Sequence, residues 1–82
     1  MVEWLYQVSL GKATVGPRDE ATLDAVALER PDLAMAASLA IALSELRQEL
    51  AEAEDSEDTM LVTATKRKVE LVEDLLLQRL DV

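Results

Sequence analysis

The sequence contains no cysteine and no histidine, and these absences remove several kinds of site. Without cysteine there is no disulfide framework, and without either residue a structural zinc site is disfavoured. The serine and threonine hydroxyls have no imidazole that would activate them as nucleophiles. The two glycines, Gly11 and Gly16, fit no phosphate-binding loop. We therefore expect a non-enzymatic protein, and we assign no catalytic, cofactor-binding or metal-binding residue.

Bulky core residues are also scarce, because the chain has no phenylalanine, one tryptophan and one tyrosine. Leucine and alanine, the strongest helix formers, together supply 27 of the 82 residues. A chain of this length forms one domain and gains little from its own core. Because neither disulfides nor a structural metal is expected to stabilise the chain, association of subunits is the remaining source of stability. We predict a mainly α-helical single domain over residues 1–82 that forms a homo-oligomer.

Positive charge is in short supply, with 8 lysine and arginine residues against 17 aspartate and glutamate residues, a formal charge of −9. Affinity for nucleic acid comes largely from cations that neutralise phosphates, so the chain as a whole repels DNA. The N-terminus lacks a basic segment, which is not typical of a signal peptide. No apolar run reaches the length of a membrane span. We expect a cytoplasmic protein that does not contact membranes.

The first ten residues allow two interpretations. Apolar and aromatic side chains alternate from Val2 to Leu10, which indicates a β-strand that pairs across a Gly11–Lys12 turn or with another subunit. The alternative is a helix with Trp4, Leu5 and Val8 on one face. We treat residues 1–16 as an N-terminal strand or arm.

Three helices are predicted after this arm. Pro17 at a first helical position, with acids in the first turn, indicates a short helix over residues 17–29. Asp32 is expected to cap a helix over residues 33–54, because its carboxylate can accept bonds from first-turn amides. Asp58 or Thr59 is expected to cap a last helix over residues 59–80. The short polar break between the two long helices predicts an antiparallel helical hairpin, with the short helix near its open end.

The segment LAMAASLAIAL at residues 33–43 is apolar on nearly every side, so it should be buried on nearly every side. Further along, leucines recur at alternating spacings of four and three residues, which is a heptad seam. One hairpin and a short helix cover only part of this surface, and we expect a second copy to cover the rest. The residues predicted to form this oligomer interface are Leu39, Ile41, Leu43, Leu46 and Leu50.

Two smaller groups are candidate contacts. Lys66, Arg67 and Lys68 form the only basic cluster; they either pair with nearby acids, as Lys66 with Glu70, or contact phosphate groups. Trp4 and Tyr6 share one face if the N-terminus is a strand, and there they would anchor the core or contact a partner.

The order of these segments resembles the small terminase subunits of tailed phages that infect actinobacteria. The resemblance covers residues 10–80 and rests on LGKATVGPRDEATLDAV, DLAMAASLAIALSEL and TATKRKVELVEDLLLQRL. It implies a non-enzymatic oligomer, usually a ring, that helps to engage viral DNA and regulates the large terminase subunit during DNA packaging. It also implies that Lys66, Arg67 and Lys68 contact DNA, and that the protein acts in the cytoplasm of the host cell. Residues 1–16 depart from the family, many of whose members begin with a helix-turn-helix.

A second hypothesis follows from the charge. A small acidic helical protein of phage origin could instead be an inhibitor, an adaptor or a structural connector that binds a host or virion protein. The charge of −9 fits this hypothesis better than it fits direct DNA binding.

Overall fold

The computed structural model describes residues 1–80, which fold into four α-helices and contain no strand. The helices are α1 (Val2–Ser9), α2 (Pro17–Glu29), α3 (Pro31–Asp55) and α4 (Thr59–Leu80). The prediction of a mainly α-helical protein is confirmed. The observed bounds of α2 and α4 coincide with the predicted ranges, and α3 is extended by two residues at its start and one at its end.

The two long helices, α3 and α4, form an antiparallel pair joined by three residues, which is compatible with the predicted hairpin. The Ser56 hydroxyl donates a hydrogen bond to the Ala53 carbonyl at the end of α3, with 2.9 Å between the oxygens. At the start of α4 the Asp58 carboxylate accepts a 3.1 Å bond from the Leu61 amide. These bonds satisfy backbone groups that the ends of helices leave without partners.

The helix α2 packs along α3, and local capping groups fix its start. Asp19 accepts a 2.9 Å hydrogen bond from the Gly16 amide, and Pro17 occupies the first helical position. The prediction that Asp32 caps α3 is wrong, because Pro31 already begins that helix and Asp32 lies in its first turn. Asp32 instead accepts a 2.8 Å hydrogen bond from Arg30, and this bond lowers the pKa of the Asp32 carboxyl.

Of the two interpretations of residues 2–10, the structure shows the helix, which spans Val2–Ser9, and not the strand. Helical spacing places Leu5 and Val8 against α3 and α4, where both are fully buried, whereas a strand there would need another strand as partner. Gly11, predicted to form a β-turn, closes the helix in the left-handed region at φ 77°. The Gly11 amide donates a 3.1 Å hydrogen bond to the Val8 carbonyl. Glycine adopts this positive φ without steric cost because it has no Cβ atom.

The core lies where α1, α2 and α4 surround the first half of α3. Small side chains at Ala36, Ala37 and Ala40 are buried there, so the neighbouring helices approach the α3 backbone closely. Fully buried leucines surround them, namely Leu5, Leu23, Leu43 and Leu76. The apolar segment of α3 is therefore covered largely within one chain. The helix α1 covers part of it, in addition to the hairpin partner and the short helix that the sequence predicted.

Candidate interaction surface

The solvent-facing side of α4 carries a row of side chains at spacings of three and four residues. Its three leucines are exposed, with 49% of Leu61, 60% of Leu71 and 39% of Leu75 accessible to solvent. We call this row the outer α4 stripe; its exposed members are Leu61, Ala64, Lys68, Leu71, Leu75 and Gln78. Such spacing is the pattern by which one helix packs lengthwise against another.

The stripe faces outward because α4 buries other positions in its own chain. Thr65, Val69 and Leu76 are buried against the core. Glu73 faces α3 and α1, and helical geometry turns Leu71 and Leu75 about 200° away from it, at about 100° for each residue. Leu71 and Leu75 thus keep a substantial part of their surface accessible to solvent.

A polar contact fixes this orientation. The Arg47 guanidinium on α3 donates hydrogen bonds to the Val8 carbonyl at the end of α1 and to the Glu73 carboxylate on α4, both at 2.8 Å. Arg47 and Glu73 are partly buried, with side chains 25% and 29% exposed. This contact was not predicted from the sequence, although Arg47 is the only cation within α3.

The predicted oligomer-interface residues of α3 lie mainly in the intrachain seam. Leu43 is fully buried, so a second chain has no access to it in this structure. The other four are half-buried and pack against the core of the same chain: Leu39, Ile41, Leu46 and Leu50. The heptad spacing was therefore read correctly as a helix-packing seam, but its main partner is α4 of the same chain.

The basic cluster is exposed at all three positions, Lys66, Arg67 and Lys68. Within residues 1–80 the two ion pairs are Arg30–Asp32 and Arg47–Glu73, so the pairing of Lys66 with Glu70 does not form. Consecutive helical residues point about 100° apart. The three cations therefore point in different directions and do not form a compact positive patch.

The two aromatic residues are separated by the helical conformation of α1. Trp4 is half-buried and packs against the core, whereas 44% of Tyr6 is exposed. The shared face on which Trp4 and Tyr6 were predicted to act together therefore does not exist. Tyr6 alone remains accessible to a partner.

Acidic residues occupy the exposed side of α3 and the turn that follows it. Glu45, Glu49 and Glu52 lie at helical spacing on the solvent side. A shallow groove between α3 and α4 is lined by Glu49 and Glu52 on one wall and by Leu61 and Lys68 on the other. The surface thus combines an acidic wall with one end of the outer α4 stripe.

Within the described residues, no group of three or more aspartates and glutamates is placed to hold a metal ion. None of the helices over residues 1–80 is both long and apolar enough to cross a membrane. No protein-family model, curated protein or solved structure matches the chain.

Proposed function

We propose that this chain is a non-enzymatic, self-associating protein of the small terminase type, which engages viral DNA and regulates a large terminase subunit. The outer α4 stripe carries the proposal, because it leaves three leucines exposed at helix-packing spacing. An exposed apolar surface of this kind is a common sign of a contact between proteins. Self-association would also give a short chain the additional burial that its own core supplies sparingly.

The exposed basic cluster supports a local role with DNA. Lys66, Arg67 and Lys68 are not held in ion pairs within residues 1–80, so their charges are available to phosphates. A single chain with charge −9 binds DNA poorly. Two or more chains together present the cluster repeatedly and raise the local positive potential.

The experiment combines native mass with DNA binding. Light scattering on a sizing column measures the subunit number, and a gel shift with viral DNA is repeated over a range of salt concentrations. We expect an oligomer whose affinity falls with salt and whose Lys66→Ala/Lys68→Ala variant binds at least about tenfold more weakly. A Lys12→Ala/Arg18→Ala variant, which removes two exposed cations elsewhere, is the matched control. An oligomer that binds neither DNA nor the large subunit would overturn the proposal.

A second function is favoured by the acidic side of α3. Glu45, Glu49 and Glu52 are exposed in a row, and the basic residues of α4 point apart instead of forming a DNA-binding patch. These features suit an inhibitor, adaptor or connector that binds a basic host or virion protein. Saturable binding of a defined basic partner, lost in Glu45→Gln/Glu49→Gln/Glu52→Gln and accompanied by no DNA shift, would support this function instead.

A further inference from the structure

We propose that the outer α4 stripe binds the same stripe of a second chain. The two α4 helices are antiparallel, and the two-fold axis crosses them at the level of the peptide bond between Val69 and Glu70. This inference rests on the self-association in the proposed function and specifies its contact. The observations that carry it are the exposed stripe and the charges that flank it.

The charges beside the stripe select this arrangement. Arg67 and Asp74 lie on the same edge of the stripe and are exposed on α4. With the axis between Val69 and Glu70, Arg67 of each chain lies beside Asp74 of the other, so the pair forms twice. On the opposite edge, Arg79 of each chain lies near Asp58 of the other. Repeated pairs of opposite charge set register and orientation more strongly than they add affinity.

The side chains within the stripe are compatible with the same register. Leu75 of one chain lies against Ala64 of the other, so that a large side chain meets a small one. Leu71 lies against the aliphatic stem of Lys68, whose ammonium group can remain in solvent. All four side chains are exposed in the single chain and are free to make these contacts.

The alternative arrangements bring like charges together. A parallel pair of α4 helices would stack Lys68 on Lys68 within the seam. An antiparallel pair displaced by one heptad would place Asp74 beside Asp74, or Arg67 beside Arg67, depending on the direction of the shift. Like charges placed directly opposite each other oppose association, and the chain already carries a net charge of −9.

The contact also leaves the rest of the fold in place. The α1 helix packs on the side of α4 that bears Glu73, about 200° from Leu71 and Leu75 around the helix. A second α4 helix on the stripe therefore does not displace α1. Lys66 lies off the stripe and the Lys68 ammonium group stays in solvent, so both remain accessible for phosphate contact, whereas Arg67 turns to Asp74 of the other chain.

The absence of native cysteine makes disulfide trapping a direct test of register. Ala64→Cys and Leu75→Cys proteins are prepared separately, mixed in equal amounts and oxidised under mild conditions. We expect the mixed 64–75 disulfide in several-fold excess over both symmetric disulfides. The control variant, Thr22→Cys, places an exposed thiol on α2 and should cross-link at the background rate. Dominant 64–64 and 75–75 disulfides would indicate parallel helices and overturn the inference.

A charge exchange tests the same pairing without cysteine chemistry. Arg67→Asp and Asp74→Arg should each raise the dimer dissociation constant by about tenfold or more, measured by analytical ultracentrifugation. The double variant Arg67→Asp/Asp74→Arg should restore most of the affinity, because each chain again offers opposite charges. A double variant as weak as the single variants would overturn the pairing.

Failure of this inference is distinguishable from failure of the proposed function. An oligomer that binds DNA or the large subunit, but forms no 64–75 disulfide, removes the contact and keeps the function. A dimer with the expected disulfide that binds neither partner keeps the contact and removes the function. A chain that stays monomeric at high concentration contradicts both.

Discussion

Arg47 on α3 donates a 2.8 Å hydrogen bond to Glu73 on α4, and the same guanidinium nitrogen donates a 2.8 Å bond to the Val8 carbonyl of α1. One side chain thus connects three helices that are far apart in sequence. The contact is only partly accessible to solvent, which reduces the screening that weakens surface ion pairs. It fixes the rotation of α4 and so helps to keep Leu71 and Leu75 outside the core.

Replacement of Arg47 by alanine should lower the free energy of unfolding by about 2 kcal/mol, because it removes two charge-assisted bonds and leaves Glu73 without its cation. Urea denaturation followed by circular dichroism measures the change. Arg30→Ala is the matched control, since its bond to Asp32 has the same 2.8 Å length but both side chains are mostly exposed. We expect a much smaller loss of the free energy of unfolding for that variant, because solvent screens the exposed pair. Equal losses in the two variants would show that burial of the Arg47 contact does not matter.

Replacement of Leu43 by alanine should lower the free energy of unfolding by about 2–4 kcal/mol, since this side chain is fully buried in the chain's own core. Leu28→Ala makes the same chemical change at a side chain that is 86% exposed, and its effect should be within about 0.5 kcal/mol of zero. The loss for Leu43→Ala should not depend on protein concentration. A loss that vanishes at high concentration would place Leu43 between chains, as the sequence had suggested.

The three longer helices were predictable because local residues mark their ends. Pro17 and Pro31 begin helices. Asp58 caps the last helix, because its carboxylate accepts a hydrogen bond from the Leu61 amide three residues later. Such signals operate within one turn of helix and need no knowledge of the tertiary structure. Asp32 was misassigned because Pro31, one residue earlier, is itself compatible with a first helical position.

The N-terminal helix was not predictable in the same way. Its eight residues satisfy both an alternating and a helical pattern, and helices this short are marginal in isolation. Burial of Leu5 and Val8 between α3 and α4 determines the outcome, and that is a tertiary effect. The position of α1 in turn determines which side of α4 is covered. The outer α4 stripe could therefore be recognised as apolar from the sequence but not as exposed.

The pKa of Asp32 gives a test at an exposed site. The bond from Arg30 lowers this pKa, so Arg30→Ala should raise it towards its ordinary value, as followed by NMR titration of the carboxyl carbon. A folded-state pKa below the unfolded-state value favours the folded state above the unfolded pKa. That contribution is lost as the pH falls through the folded-state pKa. An unchanged Asp32 titration in Arg30→Ala would show that the bond does not persist in solution.

The turn between α3 and α4 contains a non-glycine residue with an unfavourable backbone conformation. Glu57 has φ 59°, in the left-handed region where a Cβ atom is disfavoured and glycine is not. Glu57→Gly should therefore raise the free energy of unfolding by about 0.5–1 kcal/mol, net of the greater freedom of glycine in the unfolded chain. Glu57→Ala is the control, because it removes the same negative charge from the acidic turn and keeps the Cβ atom. If both variants stabilise the protein equally in urea denaturation, the gain comes from charge at the end of α3. If only the glycine variant does, it comes from release of backbone strain at the hairpin turn.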